Sequence, residues 1–217
     1  VSDFPLTSSI ERALRQPLNG ARVPVYRSLL ANGILYRCPL QYRFSPTERG
    51  EILDRLLGFF PSISLNPEGW LELFLSDDAL ADRLEELESS IAIDFPESPR
   101  GEFCFLFHYT HARCTGLLRL AEREGFLDPS YRPLVHHPLE RALILQLLTA
   151  VDRQGKKDPR ALAIDLCGAI LDLDRRCRLV GEPLEIARSR VRLLSIARGV
   201  LRAFLASELG IIPLDEC

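Results

Sequence analysis

Residues 107–120 read Phe-His-Tyr-Thr-His-Ala-Arg-Cys-Thr-Gly-Leu-Leu-Arg-Leu, and the reading of this stretch decides the fold of the second half. It lies inside a helix pattern over about 102–124, and nothing after it alternates apolar and polar residues as a strand does. Further helices are expected near 138–152, 159–178 and 183–208. Gly125–Pro133, Gln154–Asp158 and Val180–Pro183 supply the joints between them. An antiparallel helical bundle follows from helices joined by short connections.

Working back toward the start, the first half is mixed. Ser8-x-x-Glu11 is a capping box for a short helix that stops before Pro17. Ile34–Phe44 is rich in strand formers, interrupted by Pro39. Ser45-Pro46-Thr47-Glu48 is a second capping box with Pro at the first helical position, and its helix should reach about Phe59. Ser62–Leu65 and Trp70–Leu75 flank Asn66-Pro67-Glu68-Gly69, which predicts a hairpin. Ser76-Asp77-Asp78 caps a further helix that ends near Ser89, its acidic start suiting the helix dipole. Asp94–Gly101, with Pro96 and Pro99, is the best linker in the chain.

The 217 residues are 47 % hydrophobic and 26 % charged, enough for a core that needs neither disulfides nor metal. No uncharged apolar run approaches the roughly 18–20 residues of a membrane span, and no signal-peptide pattern opens the chain. The sequence begins at Val1 and holds no Met, which implies a missing initiator. A cytoplasmic protein without membrane insertion is expected. The six cysteines, Cys38, Cys104, Cys114, Cys167, Cys177 and Cys217, form no CxxC pair and read as small buried hydrophobes. Charge is uneven: residues 1–99 carry −6 and residues 100–217 carry +3, giving the net −3. Such a chain is no generic nucleic-acid binder, so any RNA site must be local.

Phe107–Leu120 also resembles the opening helix of the DALR anticodon-binding domain of arginyl-tRNA synthetases, where Tyr-x-His-Ala-Arg is typical. The similarity continues through His137-Pro138-Leu139-Glu140-Arg141-Ala142-Leu143 and Cys177-Arg178-Leu179-Val180-Gly181-Glu182. Leu209–Cys217 is similar to the family's terminal segment. Pro67–Asp77 resembles the segment that closes the additional N-terminal domain of the same synthetases. The resemblance implies a synthetase whose catalytic domain is missing, with the two flanking tRNA-contacting domains joined directly. The family's His-x-Gly-His motif and Lys-Met-Ser-Lys loop are absent: His108-Tyr109-Thr110-His111 lacks the glycine, and Gly155-Lys156-Lys157-Asp158 lacks both Met and hydroxyl. Nor is there a Gly-rich phosphate loop. No enzyme activity and no cofactor are expected.

Candidate chemistry is sparse. Cys104, His108, His111 and Cys114 suggest zinc, but ten helical residues span about 15 Å, too far for four ligands on one ion. Core packing is the better reading, and His136-His137 reads as a satisfied loop pair. Trp70 reads as core, and the acidic run Asp77–Glu88 as a solvated helix face. In the last helix Arg188, Arg192, Arg198 and Arg202 share an arc of about 120°, opposite Leu193, Leu194, Ile196, Ala197, Val200, Leu201 and Phe204. The arginine arc should be exposed. Arg175, Arg176 and Arg178 add a basic cluster at the end of the preceding helix. Asp174 stands where the resemblance implies an aromatic that meets an anticodon base, so stacking is lost there.

These readings give an α+β domain at 1–93, a linker at 94–101 and an all-α, DALR-like bundle at 102–217. The expected function is non-catalytic binding of tRNA or another structured RNA. Its rival is a scaffold repurposed as a protein-interaction or assembly subunit.

Overall fold

The computed structural model describes residues 23–30, 33–57, 62–90, 105–152 and 158–216. The expected helix after Ser8, the Asp94–Gly101 linker, Cys104, Lys156, Lys157 and Cys217 lie outside the described residues.

The first part is built on a four-stranded antiparallel sheet. Its elements run β1 (Tyr26–Leu30), β2 (Gly33–Pro39), α1 (Pro46–Leu57), β3 (Ile63–Leu65) and β4 (Trp70–Ser76). The strand order is β1-β2-β4-β3. Strand β4 alternates, burying Leu71, Leu73 and Leu75, which pair with buried Cys38, Tyr36 and Ile34 of β2; the central β2 buries Leu35 on its other face as well. Helix α1 adds Ile52 and Leu56 to that interior. Its capping box forms as expected, Ser45 N–H donating to the Glu48 carboxylate at 2.8 Å. The hairpin also forms. Asn66 Oδ1 accepts the Trp70 N–H at 2.9 Å, and Gly69 takes a positive φ of 84° that an L side chain rarely adopts.

Two features of this part differ from expectation. The strand foreseen over Ile34–Phe44 stops at Pro39, because proline has no N–H for the ladder. The chain then turns, Arg43 and Phe44 both donating to Leu40 O, and leaves Tyr42 77 % exposed. Strand β1 was not foreseen. Trp70 is half-buried on the outer face of the sheet, its ring edge-on to Tyr26 with centroids 6.1 Å apart, rather than in the core.

Six helices occur among the described residues. After α1 come α2 (Asp77–Ser90), α3 (Phe105–Arg123), α4 (Pro138–Asp152), α5 (Pro159–Arg176) and α6 (Leu184–Leu209). The chain is thus an α+β part followed by a helical part. By compactness the division falls between Leu80 and Ala81, so most of α2 groups with the later helices. Ser76 Oγ accepts the Ala79 N–H at 3.3 Å and caps α2 as its sequence suggests. Asp158 caps α5 through the Arg160 N–H at 3.0 Å, with Pro159 in the first turn. Gly210 ends α6 in the left-handed region, its N–H returning to Leu205 O.

Helix α6 packs against α3, α4 and α5. All seven apolar residues expected on its core face are buried. Each large one contributes about 1.5–3 kcal/mol on removal from water.

Candidate functional site

Helix α3 carries two faces with different chemistry. Its inner face buries Phe107, His108, Thr110, His111, Cys114, Thr115, Leu117, Leu118 and Ala121. Its outer face carries Phe105 and Tyr109, 63 % and 41 % exposed, with rings stacked at 5.6 Å and an interplanar angle of 20°. Arg113 and Arg119 continue that face. Sequence reasoning missed the aromatic pair, although the i, i+4 spacing of Phe105, Tyr109 and Arg113 signals a shared helix face.

Arg113 joins two clefts. One, of about 290 Å³, runs along α3 past Tyr109, Gly116 and Arg119 to Asp215 and Glu216. The other, of about 250 Å³, lies between α3 and the α5–α6 connection, lined by Leu117, Asp174, Arg178, Val180 and Arg190. Asp174 holds Arg113 through a two-pronged pair, Nε–Oδ2 at 2.8 Å and Nη2–Oδ1 at 3.0 Å. That hydrogen-bonded carboxylate raises the Arg113 pKa. Asp174 is therefore committed to an arginine on another helix. Arg119 is likewise bonded to Glu216 at 2.6 Å.

The second cleft is held in shape by a buried ion pair. Arg190 and Glu140, with side chains 7 % and 1 % exposed, meet at 2.7 Å. Arg190 also donates to Arg178 O at 2.7 Å and meets Glu182 at 3.1 Å. Glu140 Oε2 accepts the N–H groups of His136 and His137 at the start of α4. Burial opposes the charge of Arg190, but the Glu140 and Glu182 carboxylates outweigh it and raise its pKa. Glu140 thus caps α4 and anchors α6 at Arg190, and Arg190 in turn fixes the Cys177–Glu182 connection. His137 Nδ1 accepts the Leu139 N–H at 3.1 Å.

The arginine stripe of α6 differs from expectation. Arg188, Arg192, Arg198 and Arg202 are all half-buried, none exposed. Arg192 grips Glu88 of α2 with both terminal nitrogens, Nη1–Oε1 at 2.6 Å. Arg198 and Arg202 lie close enough to His111 to oppose its protonation, after burial itself. The cause is the packing of α6 among its neighbours, which covers the arc opposite the apolar one. The acidic run of α2 is correspondingly only part solvated: Glu88 takes Arg192, and Asp82 takes Arg132 at 2.6 Å. The basic cluster differs from the stripe, since Arg175, Arg176 and Arg178 are all exposed. Arg175 has a loose partner in Asp172 at 3.4 Å.

Cys38, Cys114, Cys167 and Cys177 are buried free thiols. Burial pushes Cys38 and Cys114 to about 12, which keeps them protonated and unreactive. Among the described residues no group of three or more His, Cys, Asp or Glu side chains is placed to hold a metal. No helix among them is long and apolar enough to cross a membrane.

No family model matches the chain. Over 107 residues, 45 % of its length, the chain is 34 % identical to an arginine–tRNA ligase of Salinibacter ruber. The match spans 19 % of that ligase, about a fifth of its length.

Proposed function

We propose that the protein is a non-catalytic relative of arginyl-tRNA synthetases that binds tRNA through its helical part. The observation that carries this reading is the outer face of α3, where the stacked Phe105–Tyr109 pair stands beside Arg113 and Arg119. Exposed aromatic faces stack on bases, and neighbouring arginines track the phosphate backbone. Arg178 lines the cleft beside Arg113 and Asp174, and exposed Arg175 and Arg176 precede it at the end of α5. Similarity to an arginine–tRNA ligase supports tRNA as the RNA class. The missing phosphate loop and synthetase motifs support a chain without aminoacylation chemistry. On this reading the sheet part and the helices are the synthetase's flanking tRNA-contacting domains, joined at Asp94–Gly101.

The test is binding of labelled tRNA followed by anisotropy, together with arginine-dependent pyrophosphate exchange. Saturable tRNA binding without exchange activity is expected. Exchange above a heat-killed control would remove the non-catalytic assignment.

A second reading, a protein-interaction or assembly subunit, is favoured by one observation. Several surface arginines already have acidic partners within the chain: Arg113 with Asp174, Arg119 with Glu216 and Arg132 with Asp82. A face neutralised in this way attracts phosphate weakly. Absence of tRNA binding even at low salt would favour it.

A further inference from the structure

The segment after α6 is pinned to α3 through one residue, Leu214, gripped at both its backbone N–H and its carbonyl. Leu214 N–H donates to His108 Nδ1 at 3.2 Å, and Leu214 O lies 3.0 Å from His111 Nδ1. The two rings must therefore be different tautomers. His108 carries no proton on Nδ1, because it accepts there; His111 carries one, because it donates there. Both rings are buried, at 6 % and 1 % exposure, while Leu214, Asp215 and Glu216 are exposed. The outer end of the segment is tied by Arg119 to Glu216 at 2.6 Å, and Asp215 stands 3.6 Å from His111. Asp215 and Glu216 thus lie along the groove that also holds Tyr109, Arg113 and Gly116.

We propose that Ile211–Glu216 is a histidine-latched strap over the α3 groove, released when His108 takes a proton. Protonation at Nδ1 turns the acceptor into a donor facing the Leu214 N–H, and the bond is lost. His111 does not oppose release, although its own bond survives protonation and Asp215 favours its charge. Burial is the largest influence on it, and Arg198 and Arg202 of α6 add to its reluctance to charge. Arg113 on the same helix is balanced by Asp174 of α5. Burial also lowers the His108 pKa from its ordinary value of 6.5. A histidine whose pKa is lower in the latched state favours that state fully above its ordinary value. The preference is lost as pH falls through the lowered one. Release withdraws two carboxylates from the groove and frees Arg119 for an anionic ligand.

Hydrogen exchange of the full chain, corrected for intrinsic rates, tests the latch at about pH 7.5 and about pH 5.5. Amides of residues 212 and 214–216 in the unmodified protein should lose about tenfold of their protection at the lower pH, while α3 and α6 stay protected. His108→Asn keeps an acceptor near the Nδ1 position without a titrating group, and its protection should not change with pH. His108→Leu should leave the segment unprotected at both values. Equal protection of the unmodified protein at both pH values would overturn the latch, as would an equal loss in His108→Asn. If the variants fail to fold, nitrogen NMR of the unmodified protein decides. The His108 titration and the Leu214 amide shift should share a midpoint, and separate midpoints overturn the proposal. Failure of tRNA binding leaves these outcomes untouched, so latch and ligand are tested separately.

Discussion

Asp174 controls what Arg113 can offer a ligand. With both carboxylate oxygens on the guanidinium, the arginine's fork is occupied. Asp174→Asn should release it and remove a negative charge from the cleft, strengthening tRNA binding several-fold at low salt. The stability cost should be no more than about 1 kcal/mol, because Arg113 is nearly half exposed. Unchanged or weaker tRNA affinity by anisotropy would place the ligand elsewhere. Without an aromatic at this position, the contacts left are to the backbone and by sequence-tolerant stacking on Phe105 and Tyr109, so arginine and non-arginine tRNAs should bind within about threefold of each other, under 1 kcal/mol. The Glu140–Arg190 pair acts on the fold instead. Glu140→Ala takes the buried carboxylate from Arg190, leaving it the part-exposed Glu182, and uncaps α4; it should cost about 3–5 kcal/mol in urea unfolding. A loss below about 1 kcal/mol would contradict its structural role. Neither pair is visible in the sequence. Asp174 lies 61 residues from Arg113, and Arg190 lies 50 from Glu140. Spacing along one helix says nothing about which carboxylate another helix presents.

At the scale of elements, what is local in cause was legible. The Ser45 capping box, the Asn66–Gly69 turn and the Ser76 cap rest on residues within a few positions of one another. Helices α4, α5 and α6 fall where the periodicity places them. Strand β1 was not legible, since Tyr26–Leu30 has little alternation and is held as a strand by pairing with β2. The arginine arc of α6 failed for a related reason. Amphipathic patterning finds the most apolar face, but neighbours decide whether the opposite face meets water. Gly33 shows the same dependence on a neighbour. A Cβ there would lie 2.1 Å from Leu75 O and meet the Phe74 ring. Gly33→Ala should therefore disturb the β2–β4 pairing and cost about 1–3 kcal/mol or more. A thermal unfolding midpoint equal to that of the unmodified protein would show that the strands separate there without cost.

For the molecule as a whole, the sheet part and the helical part place the division near residue 80 by compactness, and Asp94–Gly101 remains the proposed joint by sequence. Limited proteolysis should cut first in 94–101 and leave a stable helical piece. A first cut within α3 or α6 would contradict that division. The claim that matters most is that this piece carries an electrostatic RNA footprint. Three exposed arginines, Arg175, Arg176 and Arg178, are available for it. Three phosphate contacts on a single-stranded loop give a slope of log affinity against log salt of about −2, from roughly −0.7 per contact. The decisive measurement is that slope, for labelled tRNA binding to the unmodified protein and to the variant with all three arginines changed to glutamine. A slope of at least about −2 in magnitude (about 0.7 per contact) that loses about 2 in the variant, leaving at most what Arg113 and Arg119 contribute, is the expected result. No binding at low salt, or a slope the three substitutions leave unchanged, would contradict it.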